Sequence, residues 1–580
     1  MTAGSTRSDT DSSTAPGRPG PPRPSRGSLL LAGGLAFAGL TYGITAYPLL
    51  EPDEGRNAEV AREMVVGNDY VLPHLNALPY VDKPVLYFAA SAVTMKLLGP
   101  TELAARLPSL ACTVLTVALV AWFARRVLGG TAAWTAGIAT AATPFAVAYA
   151  RTAIFDAALT LWVVGALVGF YLAVETGRDR AHTAAWWSAT AWVAIALGIL
   201  TKGPVALAVP LLVALPYAVW RRQVSKVLDP LGMLALLALL LPWVFAVSNR
   251  VPDFLRYVLL VETADRLAGS GLGRTEPWWY FLPITVGAAL PWSVVACGGL
   301  GKRRPGGGGI DHRVVFLLLW IAVPVVFFTF SQSKRPHYIL PVVPAFGLLV
   351  ALLWNRADGR LPGARLAGAA LALLGAALTL GGSRFPSLVR SSAAVAAVIP
   401  RTALWLGALC VVSGAAAWIF AARRDRTLIA LALPVAAIPV IAMPLMRVIG
   451  SERSSRALAD AIAPFVPEHA EIVAIATYPL SLPFYLRRTL TLATPDGREL
   501  TSNYVMRRLA ALREAPGSTL RPADWWEGAL VECDRPRLFV VGVDDRAARQ
   551  RLATLLALRG QSGKVAIYGP CHAGEYARRP

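Results

Sequence analysis

The stretch SLLLAGGLAFAGLTYGITAYPLLEPDEGRNAEVAREM, residues 28–64, decides the architecture of this chain. Its first part, Ser28 to Leu50, is apolar and long enough to cross roughly 30 Å of hydrocarbon. Its second part, Glu51 to Met64, is abruptly polar, so carboxylates and cations stand at the point where the chain leaves the membrane. Residues 1–27 consist mostly of Ser, Thr, Pro, Gly and Arg and hold too little apolar material to fold, which predicts a disordered tail. Arg7, Arg18, Arg23 and Arg26 place that tail in the cytoplasm by the positive-inside bias. No clear small-residue cleavage site follows the apolar stretch, so it reads as an anchor rather than a removed signal peptide.

The rest of the chain has the same character. Of its 580 residues 55% are hydrophobic and only 16% charged, with a mean hydropathy of +0.51. A water-facing globule carries about a quarter charged residues, so the composition excludes one and predicts a polytopic α-helical membrane protein. The net charge of +21 comes from 56 Lys and Arg against 35 Asp and Glu. These cations lie in small groups between apolar stretches, not on one polar domain, which argues for membrane topology and against nucleic acid as a partner.

Further apolar spans read at about 107–127, 131–149, 156–174, 184–200, 203–220, 229–248, 278–297, 313–330, 337–354, 363–382, 403–422 and 427–446, about thirteen crossings with the first. A cytoplasmic start assigns each loop to a side before its charge is read. The loops assigned inside carry Arg125 and Arg126, Arg178 and Arg180, Arg221 and Arg222, Lys302 to Arg304, Arg356 to Arg365, and Arg423 to Arg426. The first loop assigned outside, within residues 51–106, holds Glu51, Asp53, Glu54, Glu59, Glu63, Asp69 and Asp82. The polar, amphipathic segment 54–66 and the segment 84–98, too short for a full crossing, both read as lying along the outer interface.

The chain divides accordingly into the tail 1–27, a transmembrane module 28–449 and a C-terminal segment 450–580. That segment has strand-like runs at Glu471 to Thr477, Arg537 to Val543 and Lys564 to Tyr568, separated by polar helical stretches, and reads as a small extracytoplasmic α/β domain. Cys112, Cys297 and Cys410 lie in apolar spans and read as buried hydrophobes. Cys533 and Cys571 are able to pair if their segment is outside.

Chemistry concentrates on one side of the membrane. Asp53 and Glu54 suit a helix N-terminus by themselves, but the end of the same loop adds Tyr80, Asp82 and Lys83, and three other outer loops add Arg151 and Asp156; Lys202; and Lys334, Arg335, His337 and Tyr338. The 249–277 loop adds Glu262, Asp265 and Arg266. Lys and Arg near span ends often only reach for headgroups, yet these stand against the positive-inside bias. A mixture of carboxylates and cations at membrane level suits an anionic, membrane-embedded substrate, the acids taking a proton and the bases holding a phosphate.

EPDEGRNAEVAREM, LPHLNALPYVDKPVLYF, YARTAIFDAALTLW, LTKGP and SQSKRPHYILPVVP, in that order, resemble the polyprenyl-phosphate-dependent GT-C glycosyltransferases of the aminoarabinose transferase and protein O-mannosyltransferase-like group. The resemblance runs from Asp53 to about Pro344, with a looser echo in PFYLRRTLTL. It implies the GT-C fold, thirteen spans and a soluble outer domain. It also implies a polyprenyl-phosphate-linked sugar donor such as one on undecaprenyl phosphate, membrane lipid around it, and an acceptor that is lipid A or another lipid, a cell-envelope polysaccharide or a protein.

By motif, the resemblance makes Asp53 the candidate base, with Glu54 beside it and Asp156 as a second catalytic acid. Arg56 and Lys83 then contact the lipid phosphate, while Tyr80, Lys202, Arg266, Lys334, His337 and Tyr338 bind substrate. The aminoarabinose transferases carry Glu before the Lys-Pro where this chain has Asp82, and the 249–277 loop offers no clear His ligand. Asp82 is thus the one candidate ligand for a divalent metal, and no other cofactor is expected. The alternative reading is a transporter or flippase of lipid-linked or anionic substrates, which would place its charges near the midplane and often shows internal repeats. No repeat is visible and the charges crowd one interface.

Overall fold

The computed structural model describes residues 25–258, 276–300, 311–356, 361–388, 392–467 and 469–571. Helix α1 (Arg26–Thr41) enters first, and the chain then turns through residues 42–52 into α2 (Asp53–Gly67). A short hairpin of β1 (His74–Leu75) and β2 (Leu78–Pro79) leads to α3 (Leu86–Leu98). The bundle continues with α4 (Glu102–Leu128), α5 (Gly130–Ala141), α6 (Pro144–Ala150), α7 (Asp156–Glu175), α8 (Ala181–Lys202), α9 (Val205–Trp220) and α10 (Pro230–Ser248). Longer helices at His312–Phe330, Val343–Arg356, Ala364–Gly381, Ala393–Ile419 and Arg424–Ile441 complete it.

Helix starts follow local chemistry. Thr101 caps α4 by accepting from the Ala104 amide, Thr143 caps α6 from Ala146, and Asp229 caps α10 from Gly232. Among the described residues eight helices are long and apolar enough to cross a membrane, or up to ten if two bent pairs each count as one. One bent pair, Phe281–Ala288 and Trp292–Leu300, turns by 102° around Pro291, where the ring removes an amide donor and interrupts the helix. The expected span 131–149 is likewise two helices, α5 and α6, and α1 ends at Thr41, short of Leu50.

Small residues bring helices together, as expected where lipid gives no hydrophobic gain for association. A Cβ on Gly375 would lie 2.5 Å from the Gly407 carbonyl, so helices 364–381 and 393–419 meet backbone to backbone. Buried Trp292 and Trp320 fill the centre and donate their indole N–H groups to the carbonyls of Ala142 and Pro341 at 2.7 and 2.9 Å.

The C-terminal part forms a six-stranded sheet of order β5-β4-β3-β6-β8-β7. Strands β3 (Glu471–Ile475), β4 (Thr491–Ala493), β5 (Leu520–Arg521) and β6 (Arg537–Gly542) are parallel, and β7 (Leu558–Ser562) with β8 (Val565–Cys571) adds an antiparallel edge. Cys533 and Cys571 are disulfide-bonded across 38 positions. Breaking that link by Cys533→Ser should cost about 4 kcal/mol of stability through the longer free loop. Thermal unfolding with and without reductant checks this: the parent alone should lose stability on reduction.

Helix α2 is buried, with Val60, Ala61 and Met64 inaccessible, in one apolar cluster with α3 and the C-terminal part. A Cβ on Gly55 would strike the backbone of Ser481 at 2.8 Å. The Glu51 carboxylate accepts from the Ser481 amide and hydroxyl and from the Ser455 hydroxyl, at 2.9, 2.5 and 2.7 Å. Asn76 donates to the Leu490 carbonyl and accepts from its amide, both at 2.8 Å.

On α2, Glu59 is sealed against Arg62, and burial pushes its carboxyl up to about 8 even though Arg62 opposes the shift. The folded chain therefore holds a proton that the unfolded chain releases near 4.5. This group's stabilisation is complete below that value and is lost as pH rises through about 8. Glu59→Gln should flatten the decline in melting temperature between these two values.

Candidate active site

The first turn of α2 carries Asp53, Arg56 and Asn57 at positions i, i+3 and i+4, hence on one helix face. That face lines a cavity of about 190 Å³ shared with Tyr80, Asp82 and Lys83 of the outer loop, Asp156 of α7, Lys202 of α8, and Arg335, His337 and Tyr338. Thr501 and Asn503 of the C-terminal part complete the lining. Four cations and three carboxylates, contributed by segments far apart in sequence, thus meet in one place.

Their pairing explains how the charges are tolerated. The Arg56 guanidinium donates to Asp53 Oδ1 at 2.7 Å and to Thr501 Oγ1 at 3.0 Å. Burial works against its charge, but Tyr80, Asp53 and Asp82 outweigh that and hold its pKa above the ordinary value. Antiparallel α7 and α8 bring Asp156, at the start of one, to Lys202, at the end of the other, with Nζ and Oδ1 2.5 Å apart. Each charge suits the dipole of its own helix end. Lys202 also sits 5.0 Å above the Tyr338 ring, and His337 Nε2 lies 3.9 Å from Asp156 Oδ2. Lys83 donates to the Asp82 carbonyl at 2.6 Å, and the Asp82 carboxylate accepts from the Tyr257 hydroxyl and, at 3.3 Å, from the Tyr504 amide.

Two expected site residues stand elsewhere. Glu54 points away from the cavity and is 2% exposed. Both its oxygens are taken: Arg106 reaches each at 2.9 Å, and the amides of Ala153 and Leu50 add bonds at 2.8 and 3.0 Å. One helical step of about 100° from Asp53 is enough to turn it inward. Lys334 is buried and donates to the Glu276 carbonyl at 3.0 Å, outside the cavity lining. Arg266 lies outside the described residues.

Among the described residues no three of His, Cys, Asp and Glu converge as a metal site requires. Asp82, the metal candidate, is occupied by Tyr257 and Tyr504. The residues described do not fit a metal.

Three polar lining residues, Asn57, Thr501 and Asn503, were not singled out by sequence, and Arg335 was named only for its charge. Asn57 and Arg335 stand inside the quoted motifs, and the i, i+4 relation to Asp53 marks Asn57. Thr501 and Asn503 carry no local signal, since only the fold brings them to α2.

The fold and the cavity together define a polytopic helical membrane protein with a charged cavity shared between its helices and its C-terminal part. Residues 82–245 match the family model described as dolichyl-phosphate-mannose-protein mannosyltransferase. The chain is 34% identical over 311 residues to the undecaprenyl phosphate-alpha-4-amino-4-deoxy-L-arabinose arabinosyl transferase of Aeromonas salmonicida, covering 52% of this chain and 56% of that protein. It is 34% identical over 325 residues to the transferase of the same name from Pseudomonas aeruginosa strain PAO1, covering 56% and 58%. The chain thus spans little more than half the length of these curated relatives. Its fold matches ArnT from Cupriavidus metallidurans, solved bound to undecaprenyl phosphate, with a TM-score of 0.79 and 24% identity over 93% of this chain and 97% of that one. The resemblance to the aminoarabinose transferase group holds in sequence over about half the chain and in fold over nearly all of it.

Removing one partner of the sealed Glu54–Arg106 pair leaves a buried charge alone, at a cost of about 3–5 kcal/mol. Arg106→Met should therefore sharply reduce the yield of monodisperse protein in detergent. Unchanged yield and melting temperature would show that the pair holds nothing together.

Proposed function

We propose that this chain is a membrane glycosyltransferase that moves a sugar from a polyprenyl-phosphate donor to an acceptor at the outer face of a bacterial inner (plasma) membrane. The relatives' names point to undecaprenyl phosphate as the carrier. In this reading thirteen crossings start from a cytoplasmic tail, 1–27, run through a transmembrane module, 28–449, and leave 450–580 outside as an α/β domain. The observation that carries the reading is the cavity, where four cations stand among three carboxylates beside the membrane spans. A lipid phosphate with its sugar requires that mixture: cations for the phosphate, carboxylates for hydroxyl groups and protons.

The reaction is a single inverting displacement. Arg56 and Lys83 hold the donor phosphodiester, and Lys202, braced by Asp156, lines the sugar side with Tyr338. The acceptor oxygen attacks the anomeric carbon from the face opposite the phosphate. The bond from that carbon to the phosphate oxygen breaks, its electron pair leaves with polyprenyl monophosphate, and Asp53 takes the acceptor proton. An acceptor that is itself an ionised phosphate needs no base, and Asp53 then orients the sugar. A lipid, a polysaccharide or a protein meets the same pocket.

Transfer of labelled sugar from an undecaprenyl-phosphate-linked donor tests this. Asp53→Asn, which keeps the size and removes the base, should slow transfer by about 10²-fold or more with a hydroxyl acceptor. Arg56→Ala and Lys83→Ala should each weaken binding of undecaprenyl phosphate by about tenfold or more. A folded, monodisperse protein that binds no polyprenyl phosphate would overturn the reading.

A further inference from the structure

The outer domain reaches into the cavity at one place, residues 501–504. Thr501 accepts a hydrogen bond from Arg56 at 3.0 Å, Asn503 lines the cavity, and the Tyr504 amide donates to Asp82 at 3.3 Å. One short segment therefore grips both a cation and a carboxylate of the site from above. Thr501 holds φ +53°, a left-handed conformation that β-branched residues rarely adopt. Backbone strain of this kind persists where surrounding contacts over-determine it, and it clusters at functional sites. Glycine would relieve the backbone, but it offers no hydroxyl to Arg56.

We propose that Thr501 is a positioning residue of the transfer site, fixing the Arg56 guanidinium for the lipid phosphate, so that the outer domain is an integral wall of the cavity. The inference rests on the phosphate-binding role given to Arg56 above. Asp53 holds one terminal nitrogen of Arg56 and Thr501 the other, so the planar guanidinium is fixed from two sides. Without the hydroxyl, the guanidinium keeps only its bond to Asp53 and swings about it.

The test measures undecaprenyl phosphate binding and melting temperature for the full chain in detergent, comparing the parent with Thr501→Gly, Thr501→Ser and Arg56→Ala. Thr501→Gly should weaken binding about tenfold while its melting temperature stays within a few degrees of the parent, because the backbone strain is gone. Thr501→Ser should restore binding to within about twofold. A residue that only supported the fold would move stability and not binding. Parent-like binding by Thr501→Gly, with Arg56→Ala still weakened, overturns the positioning role alone. Parent-like binding by Arg56→Ala overturns the phosphate role and this inference with it.

Discussion

Glu54 and Arg106 meet at full burial where the first outer loop crosses α4, and the geometry of the cavity depends on that contact. Arg106 reaches both oxygens of Glu54 and also donates to the carbonyls of Ile44, Tyr47 and Pro48, at 2.6, 3.0 and 2.9 Å. Glu54 in turn binds the Ala153 amide in the turn before α7. One ion pair thus joins the exit of the first span, the start of α2, α4 and the approach to α7. Such a pair is expensive to bury and is retained only when every donor and acceptor is used, as here. Its effect is rotational: with Glu54 fixed inward, the helical repeat presents Asp53, Arg56 and Asn57 to the cavity.

The same constraint explains what was legible in the sequence. Charged residues beside a span are conspicuous because the membrane makes them so costly, and Asp53, Arg56, Lys83, Asp156, Lys202, His337 and Tyr338 all line the cavity. The charge that makes a residue conspicuous does not say which way it faces. Glu54 and Lys334 have the same chemistry as their neighbours, and only packing sends them elsewhere. In the C-terminal part β3, β6 and β8 read as apolar runs because both faces of the sheet are covered there. The two-residue β5, the three-residue β4 and the polar edge β7 lack that signal. Thr501 and Asn503 are uncharged and lie in a loop, so nothing local marks them.

Burial of α2 is what makes the C-terminal part more than an appendage. Ser481 packs against Gly55 and binds Glu51, while Asn76 joins the loop to β4 through the Leu490 backbone. A helix carrying two of the seven charged residues of the wall is therefore clamped between the bundle and the sheet. Motion of the domain relative to the bundle would carry Thr501 and the Tyr504 amide away from Arg56 and Asp82. The electrostatics of the cavity and the seating of the domain are one mechanical system.

The charge balance of the cavity bears on turnover in the proposed reaction. Four cations against three carboxylates leave one net positive charge among the lysines, arginines and aspartates. A donor phosphodiester carries one negative charge and neutralises the site. The displacement converts it to a monophosphate, whose charge near neutral pH is about −1.5 to −2, while the acceptor proton passes to Asp53. While that proton stays on Asp53, it offsets the added negative charge and the product is held. Once the proton leaves to water, Asp53 again competes for Arg56 and the monophosphate faces an excess of negative charge. In the proposed reaction, proton release and lipid release would be coupled through the Asp53–Arg56 contact, where Asp53 is half-exposed.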